Sequence, residues 1–99
     1  MNQLGHIIAL AGTSLREPIL YEITSAEPGN YELWCSEFQL YGGGASLYSA
    51  LNELSGYLVV LYQDYAYAAD DDLGATALPL KRRLLYLFHH EERHEAQDC

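Results

Sequence analysis

The chain has 99 residues and a mass of 11.1 kDa, a length that supports one modest hydrophobic core and excludes two independent ones. Fourteen Asp and Glu against five Lys and Arg give a formal charge of -9, which opposes nonspecific attachment to nucleic-acid phosphates and favours a basic partner. Ten acids and one base, Arg16, fall in residues 1–80, whereas residues 81–99 balance four against four.

Residues 6–11, His-Ile-Ile-Ala-Leu-Ala, suit either a short strand or an apolar helical turn, and Gly12-Thr13-Ser14 reads as a break. Ile19, Tyr21 and Ile23 then alternate with Leu20, Glu22 and Thr24, the period of a strand, with Pro18 placed at its start. A turn is expected over residues 26–30, because Pro28 fixes one backbone angle and Gly29 and Asn30 tolerate positive φ. The alternation resumes with Tyr31, Leu33 and Cys35 on one side and Glu32, Trp34 and Ser36 on the other, so the two runs form a hairpin. Residues 38–41 extend it as a bent or third strand. Gly42-Gly43-Gly44 reads as a flexible strand-to-helix turn, since it lacks both a dinucleotide fingerprint and the lysine and hydroxyl of a phosphate loop.

Leu47, Leu51, Leu54, Leu58, Leu61 and Tyr65 recur at intervals of three and four, with Ala50 and Tyr62 widening the same stripe, predicting a helix over about 46–65 with Ser46 as its N-cap. Asp70-Asp71-Asp72 and Gly74 end it, because carboxylates meet the negative end of the helix dipole there. A second helix is expected from about 75–79, with Pro79 in its first turn, Leu80, Leu84, Leu87 and Phe88 as its apolar stripe, and Lys81, Arg82 and Arg83 exposed. The expected fold class is α+β: a small antiparallel sheet packed against a long helix, with a second C-terminal helix. Residues 1–90 form the single expected domain and residues 91–99 a flexible charged tail.

His90-Glu91-Glu92-Arg93-His94 satisfies H-E-x-x-H, a pattern that sets two imidazoles one helical turn apart on zinc. No further histidine follows, and Glu95, Asp98 or Cys99 would have to supply the missing ligand, so a solvated charged run is the preferred reading. Adventitious transition-metal binding through His89, His90 and His94 stays open. Asp70-Asp71-Asp72 lacks the spacing of a calcium loop and reads as solvent-facing. Cys35, His6 and Glu17 supply the letters of a nucleophilic triad, yet Cys35 alternates as a buried strand residue. Cys35 and Cys99 are expected as free thiols in a reducing compartment, and the location as cytoplasmic, with no membrane span. No cofactor, metal or catalytic residue is assigned. Nine tyrosines exceed the needs of so small a core and point to a partner or oligomer surface.

Residues 19–62 resemble the HicB-like antitoxins. The matching pieces are the tyrosine-bearing hairpin, Glu37-Phe38 at the strand end, Gly44 and Ser46 at the turn and cap, and Ala50, Leu51 and Leu54 on the helix. Ser36, Ala45, Tyr48 and Ser49 depart from the family pattern, and residues 63–99 carry no evident counterpart of the family's DNA-binding element. The resemblance implies a degenerate RNase H-like sheet-and-helix domain, often oligomeric, that neutralises a small basic HicA-like ribonuclease. The expected function is therefore a noncatalytic inhibitory or regulatory protein-binding module, with a structural homo-oligomeric scaffold and, further off, a small metal-dependent hydrolase as alternatives. The expected partners are a small basic toxin-like protein and further copies of the chain, without direct nucleic-acid binding. The expected contact surface comprises Glu22, Glu32, Trp34, Glu37 and Tyr41.

Overall fold

A computed structural model describes residues 3–88. Four strands, β1 (Gln3–Leu10), β2 (Thr13–Glu27), β3 (Asn30–Cys35) and β4 (Leu40–Gly44), precede α1 (Leu47–Ala66), a three-residue 3-10 turn (Asp70–Asp72) and α2 (Ala77–Leu87). The strands pair antiparallel in chain order β1-β2-β3-β4, so the fold is α+β, with a long helix and a second, C-terminal one.

Turn chemistry sets the register. Ala11 and Gly12 both take positive φ, 50° and 77°, which matches the tight turn of a two-residue hairpin and pairs Leu10 with Thr13. Pro28-Gly29, with Gly29 at φ 81°, closes the second hairpin between Glu27 and Asn30. Of the two alternatives for residues 6–11, the strand is the one found, since they belong largely to β1. The start of the next strand does change: β2 begins at Thr13, six residues before the alternating run. Pro18 lies inside β2, in the stretch where the register slips between the Ile7–Ile19 and Ala9–Ser14 pairs, a place where a missing donor costs no ladder bond.

One face of the sheet carries Ile7, Ile19, Tyr21, Leu33 and Cys35, all buried beneath the helices. Gly5 stands opposite Tyr21 and shares that face: a Cβ there would run into the tyrosine ring, so the ring lies over the glycine. Ser46 caps α1 as expected, its hydroxyl accepting from the Ser49 amide at 3.1 Å. The buried line of α1 is Ala50, Leu54, Leu58 and Tyr62; Leu51, Leu61 and Tyr65 flank it half-buried, and Leu47 is 38 % exposed. Leu84, Leu87 and Phe88 of the α2 end complete the core, with Phe88 stacked on Tyr62 at 4.1 Å between ring centroids.

The triglycine is not a turn. Gly42 and Gly44 lie in β4 directly beneath α1, where ideal Cβ atoms would come within 2.6 Å of Ala50 O and of Ser49 Cβ, respectively. Glycine lets the helix backbone settle onto the strand. Lys81 and Arg83 are also not free surface charges. Lys81 Nζ donates at 2.7 Å both to Ala68 O, just past the end of α1, and to Asp70 Oδ1, neutralising that dipole end. Arg83 is treated below; Arg82 is exposed, as expected. None of the described helices is long and apolar enough to cross a membrane.

Candidate functional site on the uncovered sheet face

Period-2 alternation sends every second strand residue away from the helices. Register then aligns them across all four strands: Leu4 pairs with Glu22, Glu22 with Trp34, and Trp34 with Tyr41. His6 pairs with Leu20 in the next row, and Glu32 with Gly43 on the other side. Among the described residues, no helix covers this face. Leu4 is 65 % exposed, Ile8 68 %, Leu20 50 % and Tyr41 58 %. Trp34 is half-buried because its ring packs on Tyr41, with centroids 4.5 Å apart and planes tilted by 37°.

Four residues expected at a contact surface, Glu22, Glu32, Trp34 and Tyr41, thus share one face, brought together by register rather than by nearness in sequence. Glu37 does not belong with them. It sits between β3 and β4 and accepts from Arg83 Nε at 2.6 Å, while Arg83 Nη1 donates to Glu17 Oε1 at 2.7 Å. The guanidinium therefore ties α2 to β2 and to the β3–β4 connection. Its hydrogen bond, and then its charge, hold the Glu17 carboxyl below the ordinary value. This trio and the open-face residues His6, Leu20 and Ser36 border a hollow of about 510 Å³ at one end of the face.

Leu4, Ile8 and Leu20 belong to the surface without having been singled out in the sequence. The signal for Leu20 lay in the alternation of residues 19–24, which sets it on the other side from Ile19, whereas Leu4 and Ile8, the odd-even complement of Gly5 and Ile7, could be read only once β1 was known to be a strand. Cys35, His6 and Glu17 do not assemble into a triad. The Cys35 side chain is buried on the helix side, where loss of solvation raises its thiol pKa, whereas His6 lies in the row facing the other way. Among the described residues, no group of three or more His, Cys, Asp and Glu converges as a metal site. Asp70 instead pairs with Lys81. His89, His90, His94 and Cys99 lie outside the described residues.

The face thus offers rings and aliphatic carbons that contact could bury and carboxylates that could orient it, with no helix of the described residues above it. Compared with protein-family models, with curated proteins and with solved structures, the chain finds no match.

Proposed function

We propose that the chain is a noncatalytic protein-binding module whose open sheet face docks a small basic protein. The observation that carries this reading is the aligned row Leu4–Glu22–Trp34–Tyr41, apolar area with Glu22 set into it and Glu32 in the next row. Charge selects between a basic partner and a second copy. The outward strand positions 4, 6, 8, 20, 22, 32, 34, 41 and 43 include two glutamates and no lysine or arginine. Stacking this face on its own copy would bring carboxylates together, and two unit charges about 6 Å apart at an effective dielectric of about 20 repel by about 3 kcal/mol. A cationic partner turns the same groups into attraction and faster encounter. The resemblance of residues 19–62 to HicB-like antitoxins extends the proposal from binding to neutralisation of a small basic ribonuclease.

Affinity capture from native lysate tests the reading through its variants. A small basic protein should be retained by the wild type and lost on Trp34→Ala or on combined Glu22→Lys and Glu32→Lys, while Gln63→Lys on the exposed side of α1 retains it. Capture indifferent to the face variants would sink the proposal. Homo-oligomerisation is a second reading, favoured by exposed Tyr48, Tyr57 and Val60 along α1. Light scattering that gives a monomer mass from micromolar to millimolar concentration would remove it.

A further inference from the structure

The three glycines of β4 are not equivalent. Gly42 and Gly44 are required by the approach of α1, but an ideal Cβ on Gly43 meets only Tyr31 O at 3.6 Å, an ordinary contact. Nor is Gly43 among the described glycines with positive φ. The fold gives no reason for glycine there, on the uncovered face of an edge strand. A glycine in such a position leaves room for something to approach the backbone from outside.

The room it leaves is a notch of about 260 Å³, bordered by Glu32, Tyr41 and Glu53. Glu32 stands beside Gly43 in the register, Tyr41 two residues before it, and Glu53 comes from α1, where Tyr57 donates to its Oε1 at 3.0 Å. The notch thus has a backbone floor, an aromatic wall braced by Trp34, and two carboxylates. Three of the protein's own cations are engaged elsewhere: Arg16 with the Tyr86 carbonyl and ring, Lys81 with Asp70, and Arg83 with Glu17 and Glu37.

We propose that the notch over Gly43 receives an arginine side chain of the basic partner. The inference rests on the protein-binding reading of the open face and adds the anchor within it. Arginine fits better than lysine, since a planar guanidinium stacks on a tyrosine ring while its N–H groups reach carboxylates on either side.

Hexa-arginine and hexa-lysine peptides serve as probes, and Trp34, the sole tryptophan, reports from within the face through its fluorescence. Hexa-arginine should change Trp34 emission saturably at low ionic strength, and hexa-lysine should bind several-fold more weakly. Gly43→Val, which fills the notch, should weaken hexa-arginine about tenfold without lowering the urea midpoint. Glu32→Gln with Glu53→Gln should do the same, while Asp71→Asn with Asp72→Asn, an equal loss of charge far along the chain, should stay within twofold of wild type. Equal affinity across all these variants overturns the anchor. If partner capture nevertheless still depends on Trp34, the face stands and the notch falls; if both fail, the face reading falls with it. Absence of a saturable response in the wild type likewise overturns the proposal.

Discussion

Placing a methyl group in turn on Gly42, Gly43 and Gly44 should give three different results, although the residues are adjacent and identical. At Gly42 the new Cβ would stand 2.6 Å from Ala50 O, 2.7 Å from Leu54 Cβ and 2.8 Å from Leu54 N. Two of these are helix backbone atoms, so no side-chain rotation relieves the contact. Restoring ordinary contact at 3.4 Å requires α1 to retreat by about 0.8 Å along that line. A gap of about 0.5–1 Å forfeits a quarter to a half of each dispersion contact it opens, and Leu54 and Ala50 are fully buried at this seam. Overpacking of this kind costs about 1–3 kcal/mol. We expect Gly42→Ala near the upper end, a drop of roughly 10 °C or more in Tm for a domain of this size. Gly44→Ala meets Ser49 Cβ at 2.6 Å and Ala50 N at 2.8 Å, but in the first turn of α1, where fraying gives some relief; about 1–2 kcal/mol is expected. Gly43→Ala meets no obstacle and should gain about 0.4–1 kcal/mol by restricting the unfolded chain. Urea unfolding followed by helix circular dichroism and by Trp34 fluorescence measures all three. Equal effects, or Gly43 as the most sensitive site, would refute the placement of α1 on β4 and restore a flexible turn at the triglycine.

Truncating a fully buried residue of α1, Leu58→Ala, should cost about 2–5 kcal/mol, whereas Leu47→Ala in the same helix, 38 % exposed, should cost under about 1 kcal/mol; similar losses would mean that the buried line is misplaced. The depressed Glu17 carboxyl stabilises the fold above its unfolded-state pKa, and that contribution is lost as pH falls through the lower folded-state value. Arg83→Met should therefore flatten the acid limb of the stability curve below about pH 4.5, and carbon-detected NMR should show Glu17 titrating in the ordinary carboxylate range, whereas an unchanged Glu17 titration would exclude Arg83 as the cause. In a Cys99→Ser chain, the Cys35 thiol should react with an aromatic disulfide reagent only at the rate of structural opening and become fast in urea; prompt native-state labelling would contradict its burial.

The parts of the fold that followed from local periodicity were legible. Ile19 to Thr24 and Tyr31 to Ser36 alternate as strands, and Ser46 followed by leucines at helical spacing marks α1 to within one residue at each end. What failed depended on partners distant in sequence. The stripe of α1 was read with Ala50 and Tyr62 at its margin, but these two join Leu54 and Leu58 in the buried line while Leu47 is left exposed, because the sheet beneath selects which side of a broadly apolar helix is covered. The triglycine looked like a loop because glycine signals flexibility locally, while its cause at Gly42 and Gly44 is a helix that arrives afterwards in the chain. Lys81 and Arg83 looked like solvated charges because Ala68, Asp70, Glu17 and Glu37 become their neighbours only after folding. On the candidate face, the alternation that yielded Trp34 and Glu32 was readable, but their alignment with Leu4 and Tyr41 needed the register of three ladders.

The order β1-β2-β3-β4 also has a kinetic meaning. Each strand pairs with its immediate successor across a short connection, so the sheet assembles from loops that close in tens of nanoseconds to microseconds, and little entropy is spent before contacts form. The long closures belong to α2: Arg16 with Tyr86 spans 70 residues, Arg83 with Glu17 spans 66 and Arg83 with Glu37 spans 46. Chain topology thus assigns early events to the hairpins and late ones to α2. If α2 docks last, removing the Arg83 clamp should speed unfolding more than it slows folding, and Arg83→Met measured in a chevron would show this.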